Sequence, residues 1–293
     1  MTVGRRQIFS ALAILGLSAL PLAATGCKDK GQKSAEEARA NVKLLADVAE
    51  KDVAEIERGL PLGGKKMGEL LGAEPDPKAN APGVRTALLK MRREVADLGV
   101  AKSTFFAFTD DKGIAIRNDL EQDTMAGKDV AGAYPAFKKA LGGEAFVATQ
   151  GTFPGAPNPA GPDKEWVAAV PVKRGDGTML GLLVTGWTYR RFAYHLQEVL
   201  KRDLQEKLMQ AGDKGKLPVI YVFLFDKDTV YGARGTPPVN EKTLADLKLA
   251  EKTNATGTAD APIVIEDRSF GWAATRVKKL GDDVGIVVLR SEI

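Results

Sequence analysis

The thiol of Cys27 is the most reactive nucleophile in the sequence, and Cys27 is the only cysteine among 293 residues. A single cysteine excludes a disulfide within the chain, so we looked for another reason for its presence. It follows the small residues Thr25 and Gly26, and it precedes a charged run that begins at Lys28. The thiol is therefore a candidate for covalent modification at the boundary between an apolar segment and a polar one.

The residues before Cys27 have the three-part pattern of a secretory signal peptide. Arg5 and Arg6 supply a short positive region, and an uncharged apolar stretch runs over 8–24. That stretch is short for a bilayer span, which needs about 20 strongly apolar residues. We therefore expect 1–26 to be a cleaved signal peptide, with an uncleaved anchor as the alternative. The two arginines fit a twin-arginine export signal as well as an ordinary positive region.

Residues 22–27 resemble the bacterial lipobox, in which a cysteine after small residues receives a lipid and becomes the N-terminus. Ala24 stands where the lipobox prefers leucine. Each buried methylene of a lipid chain contributes about 0.8 kcal/mol to membrane binding, and two or more chains anchor a protein stably. The resemblance implies a lipid on Cys27, a polar tether over 27–33, and a position on a membrane facing the periplasm. The inner and the outer membrane stay open as alternatives.

The composition indicates a globular chain and gives no support for nucleic-acid binding. The formal net charge of +4 falls to +2 without residues 1–26, because that segment holds two arginines and no acidic residue. Such a small charge provides no extended basic surface. Hydrophobic residues make up 44% of the sequence and charged residues 27%, as in globular domains. We see no second membrane segment, so we expect no part of the chain to reach the cytoplasm.

Helical periodicity comes first in the sequence, and strand patterns follow. Ser34 and Glu37 form a capping-box pattern, which predicts that a long helix begins at Ser34. Further helices are predicted near 82–98, 134–141, 190–210 and 241–250. Prolines and glycines over 151–163 predict a long surface loop. Strands are predicted at 103–108, 114–117, 166–173, 179–188, 219–225, 229–231, 263–266, 270–278 and 284–290.

The sequence repeats one order of elements, in which a hairpin is followed by a helix and closing strands. Residues 106–113 and 166–188 have counterparts in 223–228 and 272–288. The matching order favours two duplicated units over a chance similarity. We expect an α+β fold with one or two antiparallel sheets flanked by helices. A helical stalk and the first unit would occupy 34–212, and a second, smaller unit would occupy 213–293.

This order of elements resembles the Cache family, the PAS-like sensor domains found outside bacterial membranes. The resemblance rests on 106–118, 130–143 and 166–188, with family-like patterns at 140–143 and 170–172. It implies a pocket near the first hairpin that takes a small polar or carboxylate ligand. Cache domains usually belong to receptors with a transmembrane helix and a cytoplasmic output. Because we find neither here, we expect a membrane or periplasmic protein partner.

Five residues are predicted to contact the ligand. Arg117 and Asn118 follow the first hairpin, Tyr134 begins a short helix, and Trp166 and Trp187 are the large aromatic residues of the first unit. An arginine would hold a carboxylate through two parallel hydrogen bonds. Each residue also has a purely structural interpretation, the polar ones as solvated strand ends and the tryptophans as core.

No motif in the sequence indicates catalysis, a metal or a cofactor. His195 is the only histidine, and beside the apolar stripe of the predicted 190–210 helix it is interpreted as a packed or surface residue. A zinc site would lack ligands, and no nucleophile elbow, P-loop or dinucleotide fingerprint is present. We expect a non-enzymatic, small-molecule-binding sensor. The alternative is a structural or assembly lipoprotein that presents a PAS-like surface and binds no ligand.

Overall fold

A long N-terminal helix packs against two antiparallel sheets in the computed structural model, which describes residues 25–153, 163–212, 215–254 and 256–292. The predicted signal peptide, apart from its last two residues, and most of the predicted 151–163 loop lie outside these ranges. The helices are α1 (Thr25–Leu71), α2 (Ala81–Glu94), α3 (Ala96–Val100), α4 (Val130–Ala133), α5 (Phe137–Leu141), α6 (Tyr189–Gln210), α7 (Pro238–Ala245) and α8 (Leu249–Asn254). The strands are β1 (Phe105–Thr109), β2 (Ala115–Asn118), β3 (Val147–Gly151), β4 (Glu165–Lys173), β5 (Met179–Thr188), β6 (Val219–Asp226), β7 (Thr229–Gly232), β8 (Thr258–Ile265), β9 (Arg268–Arg276) and β10 (Val284–Ser291).

Helix α1 begins before the residue that the sequence pattern predicts. Ser34 lies inside the helix and is 1% exposed, so the prediction of a capping box at this residue is wrong. Residues 27–33, expected to form a polar tether, belong to the first turns of α1. Gly31 lies against Ser269 and Pro262 of the second sheet. The helix therefore extends in the N-terminal direction because the second sheet offers it a surface on which to pack.

One face of α1 is buried along its length. Apolar residues recur every three or four positions, as a helix that buries one face requires. Gly63 and Gly64 do not end the helix, because both lie where it presses against the first sheet. A Cβ atom at Gly68 would collide with the carbonyl oxygen of Lys173, so these glycines permit a close approach to β4. The fully buried positions include Ala38, Val42, Leu45, Ala49, Val53, Ile56 and Leu60.

The two sheets have the same topology. The first has the strand order β2-β1-β5-β4-β3 and the second β7-β6-β10-β9-β8, and every neighbouring pair is antiparallel. The repeat predicted from the sequence is therefore present in the structure, and the α+β prediction is confirmed. Strand β3 has no counterpart in the prediction. It pairs with β4 at the edge of its sheet and is mostly half-exposed, so it lacks a clear alternation.

Both faces of each sheet are covered. One continuous apolar core joins the inner faces of the two sheets to α1, α2 and α6. The N-terminal half of α1 packs on β8, β9 and β10, and its C-terminal half packs on β4 and β5. Helices α4 and α5 cover the outer face of the first sheet, and α7 and α8 cover that of the second. Within the described ranges, no helix combines the length and the apolar character that a bilayer crossing requires.

Candidate functional site

The outer face of the first sheet contains a cavity of about 140 Å³. It lies between the sheet and the segment 119–153, which returns over the strands. Its volume is similar to that of engineered cavities that hold one small organic molecule. Its apolar wall consists of Phe105, Leu120, Met125, Val130, Phe153 and Val184, and its polar groups come from Thr104, Asn118, Thr124, Tyr134 and Glu165.

Tyr134 and Glu165 form a hydrogen-bonded pair in this cavity. Tyr134 follows α4 directly and is 2% exposed, and its ring packs against those of Phe137 and Phe153. Its hydroxyl donates a hydrogen bond to Oε2 of Glu165. Burial keeps the pKa of Tyr134 above its ordinary value, so the hydroxyl stays protonated and acts as the donor.

Glu165 is the only acidic side chain among the described residues that line the cavity. Burial raises the pKa of the Glu165 carboxyl above its ordinary value; the Tyr134 hydrogen bond opposes this rise, and the nearby Asp163 carboxyl adds to it. The described lining includes no lysine, arginine or histidine. The carboxylate therefore has a hydrogen-bond donor beside it, but no cationic side chain among the described residues of the cavity wall.

Asn118 also lines the cavity. The residue is 1% exposed. Its Oδ1 accepts a hydrogen bond from the backbone N–H of Leu120 at 3.0 Å, whereas its Nδ2 is enclosed by protein and has no hydrogen-bond partner among the residues that the structure describes. A buried donor without a partner costs about 1–3 kcal/mol, so such groups are rare in native proteins. The structure thus brings together two of the five predicted residues, Asn118 and Tyr134.

Arg117 does not line this cavity, and its placement there is corrected. It lies opposite Phe108 in the β1–β2 register, whereas Asn118 lies opposite Ala107, so the two neighbours point to opposite faces. The guanidinium is 3.0 Å from the Asp123 carboxylate and also donates to the carbonyl oxygens of Leu120 and Glu121. These bonds fasten the segment that follows β2.

The tryptophans lie away from this cavity, in the position that their alternative interpretation as core residues expects, so their contact with a ligand stays a prediction. Trp166 and Trp187 face each other across β4 and β5 with ring centroids 4.6 Å apart, and Trp187 stacks on Phe192 of α6 at 4.4 Å. They are 2% and 1% exposed. Both belong to the core shared with α1 and α6, on the inner face of the sheet. The aromatic rings that do line the cavity are those of Phe105, Tyr134 and Phe153.

Glu165 was missed because the predicted strand began one residue later. In β4 the side chains alternate, so Trp166 points inward while Glu165, Val167 and Ala169 point outward. An acidic residue in register with this apolar outer face is the signal that could have identified it. To identify Glu165 in this way, one must know where β4 begins and which face of the sheet is the inner one. The inner face is the one that packs against α1, and the sequence does not show where α1 packs.

The described chain has one histidine and two further grooves outside this cavity. His195 lies with Nε2 3.0 Å from Oδ2 of Asp52 and so connects α6 to α1. No group of three or more potential metal ligands occurs among the residues that the structure describes. A groove of about 650 Å³ follows α1 and β4, and one of about 500 Å³ lies between the first sheet and the turns of the second.

Comparison with known proteins identifies the fold. No protein-family model matches the chain, and no curated protein matches it in sequence. Among solved structures, the extracellular domain of a protein described as the histidine kinase vpHK1S-Z8 aligns with a TM-score of 0.56 at 12% identity, over 90% of this chain and 93% of that one. A domain described as belonging to a sensory box/GGDEF family protein of Vibrio parahaemolyticus aligns with a TM-score of 0.55 at 12% identity, over 89% and 96%.

A third similarity covers only part of a longer protein. The chain spans 39% of the length of an extracellular ligand-binding receptor from Desulfohalobium retbaense, with a TM-score of 0.47 at 12% identity over 85% of this chain. The alignments with TM-scores of 0.55 and 0.56 indicate a shared fold, and at 12% identity they indicate nothing beyond the fold. The two sheets of identical strand order and the long N-terminal helix agree with them, so this chain has a PAS- and Cache-like α+β fold.

Proposed function

We propose that this chain is a lipid-anchored, extracytoplasmic binding protein that senses a small polar molecule and acts through a protein partner. The observation that carries the proposal is the cavity on the outer face of the first sheet, which contains the hydrogen-bonded Tyr134–Glu165 pair within a mostly apolar wall. Small-molecule sites are mostly apolar concavities with a few placed polar groups, and this cavity has that composition.

The fold supports the same proposal. The structures it resembles at TM-scores of 0.55 and 0.56 are described as domains of a sensory box protein and of a histidine kinase. We infer that a bound state is communicated to a protein partner by direct contact.

The ligand proposal is tested by thermal shift with a panel of small amines, amino acids, alcohols and carboxylates. A ligand that binds only the native state raises the melting temperature by mass action. Thr124 is an exposed residue at the cavity, so Thr124→Trp should fill the cavity without disturbing the core. Ala126→Trp places the same side chain on the same exposed loop, outside the lining.

We expect a panel compound to stabilise the wild type and Ala126→Trp, and to leave Thr124→Trp unchanged. Stabilisation of Thr124→Trp to the same extent would move the site elsewhere in the molecule. A panel without any hit would favour a scaffold lipoprotein that binds no ligand.

The anchoring proposal rests on the sequence around Cys27. Cys27 lies in the first turn of α1, so a lipid on this residue would sit where the helix begins. Cys27→Ser removes the thiol that receives the lipid. We expect the variant to fractionate as a soluble periplasmic protein or to retain its signal peptide. Recovery of a processed Cys27→Ser protein with the membranes would contradict the lipid anchor.

A further inference from the structure

The charges of the side chains that line the cavity indicate which class of small molecule it would bind, which the fold alone does not indicate. The inference that follows from this charge distribution rests on the proposed function, in which this cavity is the binding site. A ligand carboxylate would require a cationic partner, and Arg117, the residue expected to supply it, is bound to Asp123 on the other side of β2. The described lining contains one acidic side chain, Glu165, and no basic one.

From these groups we infer that the cavity binds a small molecule with a protonated amine, which pairs with Glu165. Glu165 lines the cavity, and its carboxylate accepts a hydrogen bond from Tyr134 through Oε2. A protonated amine would supply the positive charge that the described lining lacks.

Aromatic rings in the wall favour the same ligand class. Phe105, Tyr134 and Phe153 all line the cavity. A cation near an aromatic face is attracted to the negative potential of the ring, most strongly where water is excluded. The Phe153 ring already makes one such contact, since Nζ of Lys128 lies over it at 5.2 Å from its centroid. Lys128 itself does not line the cavity.

Electrostatics around Glu165 also disfavour an anion. Asp163 lies close enough to raise the pKa of the Glu165 carboxyl, so two acidic groups act on this end of the cavity. A bound ammonium group would reverse that effect because it stabilises the ionised carboxylate. The volume of about 140 Å³ restricts the ligand to a few heavy atoms.

The test compares three molecules of nearly equal shape and different charge. Ethanolammonium carries the cation and an adjacent acceptor, ethylene glycol is its neutral counterpart, and glycolate is the anion. Binding to the full mature chain is measured by calorimetry and thermal shift at matched chloride concentration. We expect ethanolammonium to bind the wild type at least about tenfold more tightly than the other two, because a charge-assisted hydrogen bond is lost in each of them.

A pair of variants then identifies the residue responsible. Glu165→Gln keeps the shape and the acceptor for Tyr134 but removes the charge, and we expect at least about a tenfold loss of ethanolammonium affinity. Glu121→Gln removes the same charge from an exposed residue outside the lining, and affinity should stay within about twofold. Circular dichroism checks that both variants are folded, and the three-ligand comparison on the wild type needs no variant.

The outcomes separate this inference from the proposed function. Ethanolammonium binding that survives Glu165→Gln would overturn the inference. The inference would also be overturned if a compound without a protonated nitrogen bound to the wild type and this binding were lost in Thr124→Trp. The proposed function would then stand. If no molecule of any class binds, both fail together.

Discussion

The Glu165 carboxyl is held where its ionised form is disfavoured, because burial raises its pKa and Asp163 adds to the effect. A carboxyl whose pKa is higher in the folded than in the unfolded state destabilises the fold once it ionises. This cost is fully present above the folded-state pKa. It disappears below the unfolded-state pKa, where the group is protonated in both states. In the unliganded protein, ionised Glu165 therefore lowers the stability of the fold.

Glu165→Gln is therefore expected to stabilise the unliganded protein at neutral pH. The gain in the free energy of unfolding should be on the order of 1 kcal/mol at about pH 8 and should vanish near about pH 4. Urea denaturation at a series of pH values measures it. Glu121→Gln, which changes an exposed residue, should give no such pH-dependent gain. A gain for Glu165→Gln that is constant with pH would indicate a packing effect instead.

The Arg117 side chain forms a largely buried ion pair with Asp123. Burial opposes ionisation of Asp123, but the backbone N–H of Met125, the Arg117 guanidinium and the N–H groups of Ala126 and Asn118 hold the pKa of its carboxyl below the ordinary value. The side chains of Arg117 and Asp123 are only 15% and 11% exposed. Removing the arginine leaves a largely buried carboxylate with fewer partners.

We expect Arg117→Ala to lower the free energy of unfolding by about 1–3 kcal/mol. As a control, Lys242→Ala breaks an exposed ion pair with Asp246 and should change stability by at most about 0.5 kcal/mol. Chemical denaturation of both variants measures the difference. An Arg117→Ala protein as stable as the wild type would show that Asp123 needs only its backbone partners.

At the scale of elements, the contact of α1 with the second sheet depends on a missing side chain. A Cβ atom at Gly271 of β9 would collide with the backbone of Ser34 and Ala35 in α1. Because these neighbours are backbone atoms, no change of rotamer can relieve the collision. The helix and the strand therefore approach each other at a distance that only glycine permits.

Gly271→Ala should accordingly destabilise the protein by about 1–3 kcal/mol, as overpacking does elsewhere. It should also increase hydrogen exchange in the N-terminal half of α1 relative to the C-terminal half. Gly175→Ala is the matched control, because nothing lies within 4 Å of a Cβ atom there. Equal stability of the two variants would mean that α1 shifts along β9 without loss.

At the scale of the whole molecule, the inner faces of the two sheets share one core, although each outer face also has an apolar cluster of its own. The inner face of the second sheet packs against α1, which belongs to the other end of the sequence. The division into 34–212 and 213–293 remains a prediction, and the structure specifies what each fragment would lose. The inner face of the second sheet includes Ile220, Val222, Leu224, Ala273, Ile286 and Val288.

We expect a fragment of residues 213–293 to remain unfolded alone, because that apolar face would be exposed to water. Mixing it with a fragment of residues 27–212 should restore strand signal in circular dichroism, since α1 then covers the sheet. A cooperative thermal transition of the isolated 213–293 fragment would show that the second unit has a sufficient core of its own.

The sequence by itself determined the elements whose signals are local. The turn after β1 is an example, because Asp110 accepts hydrogen bonds from the backbone of Lys112 and Ile114 and Gly113 adopts a φ of +83°. The paired strands of both units and helix α6 were predicted for the same reason, since their apolar periodicity is contained in a few successive residues. The α+β class and the repeat followed from the order of these elements.

Only the tertiary structure decided where α1 begins, that β3 exists, and which side chains share the cavity. Arg117 and Asn118 are neighbours in sequence, yet the β1–β2 register sends them to opposite faces. Glu165 and Trp166 are also sequence neighbours that point to opposite faces. Trp166 points to the inner face, where α1 and α6 pack on the first sheet, and Glu165 points to the outer face. Register and face depend on contacts between residues far apart in the chain, and a local pattern contains no information about those contacts.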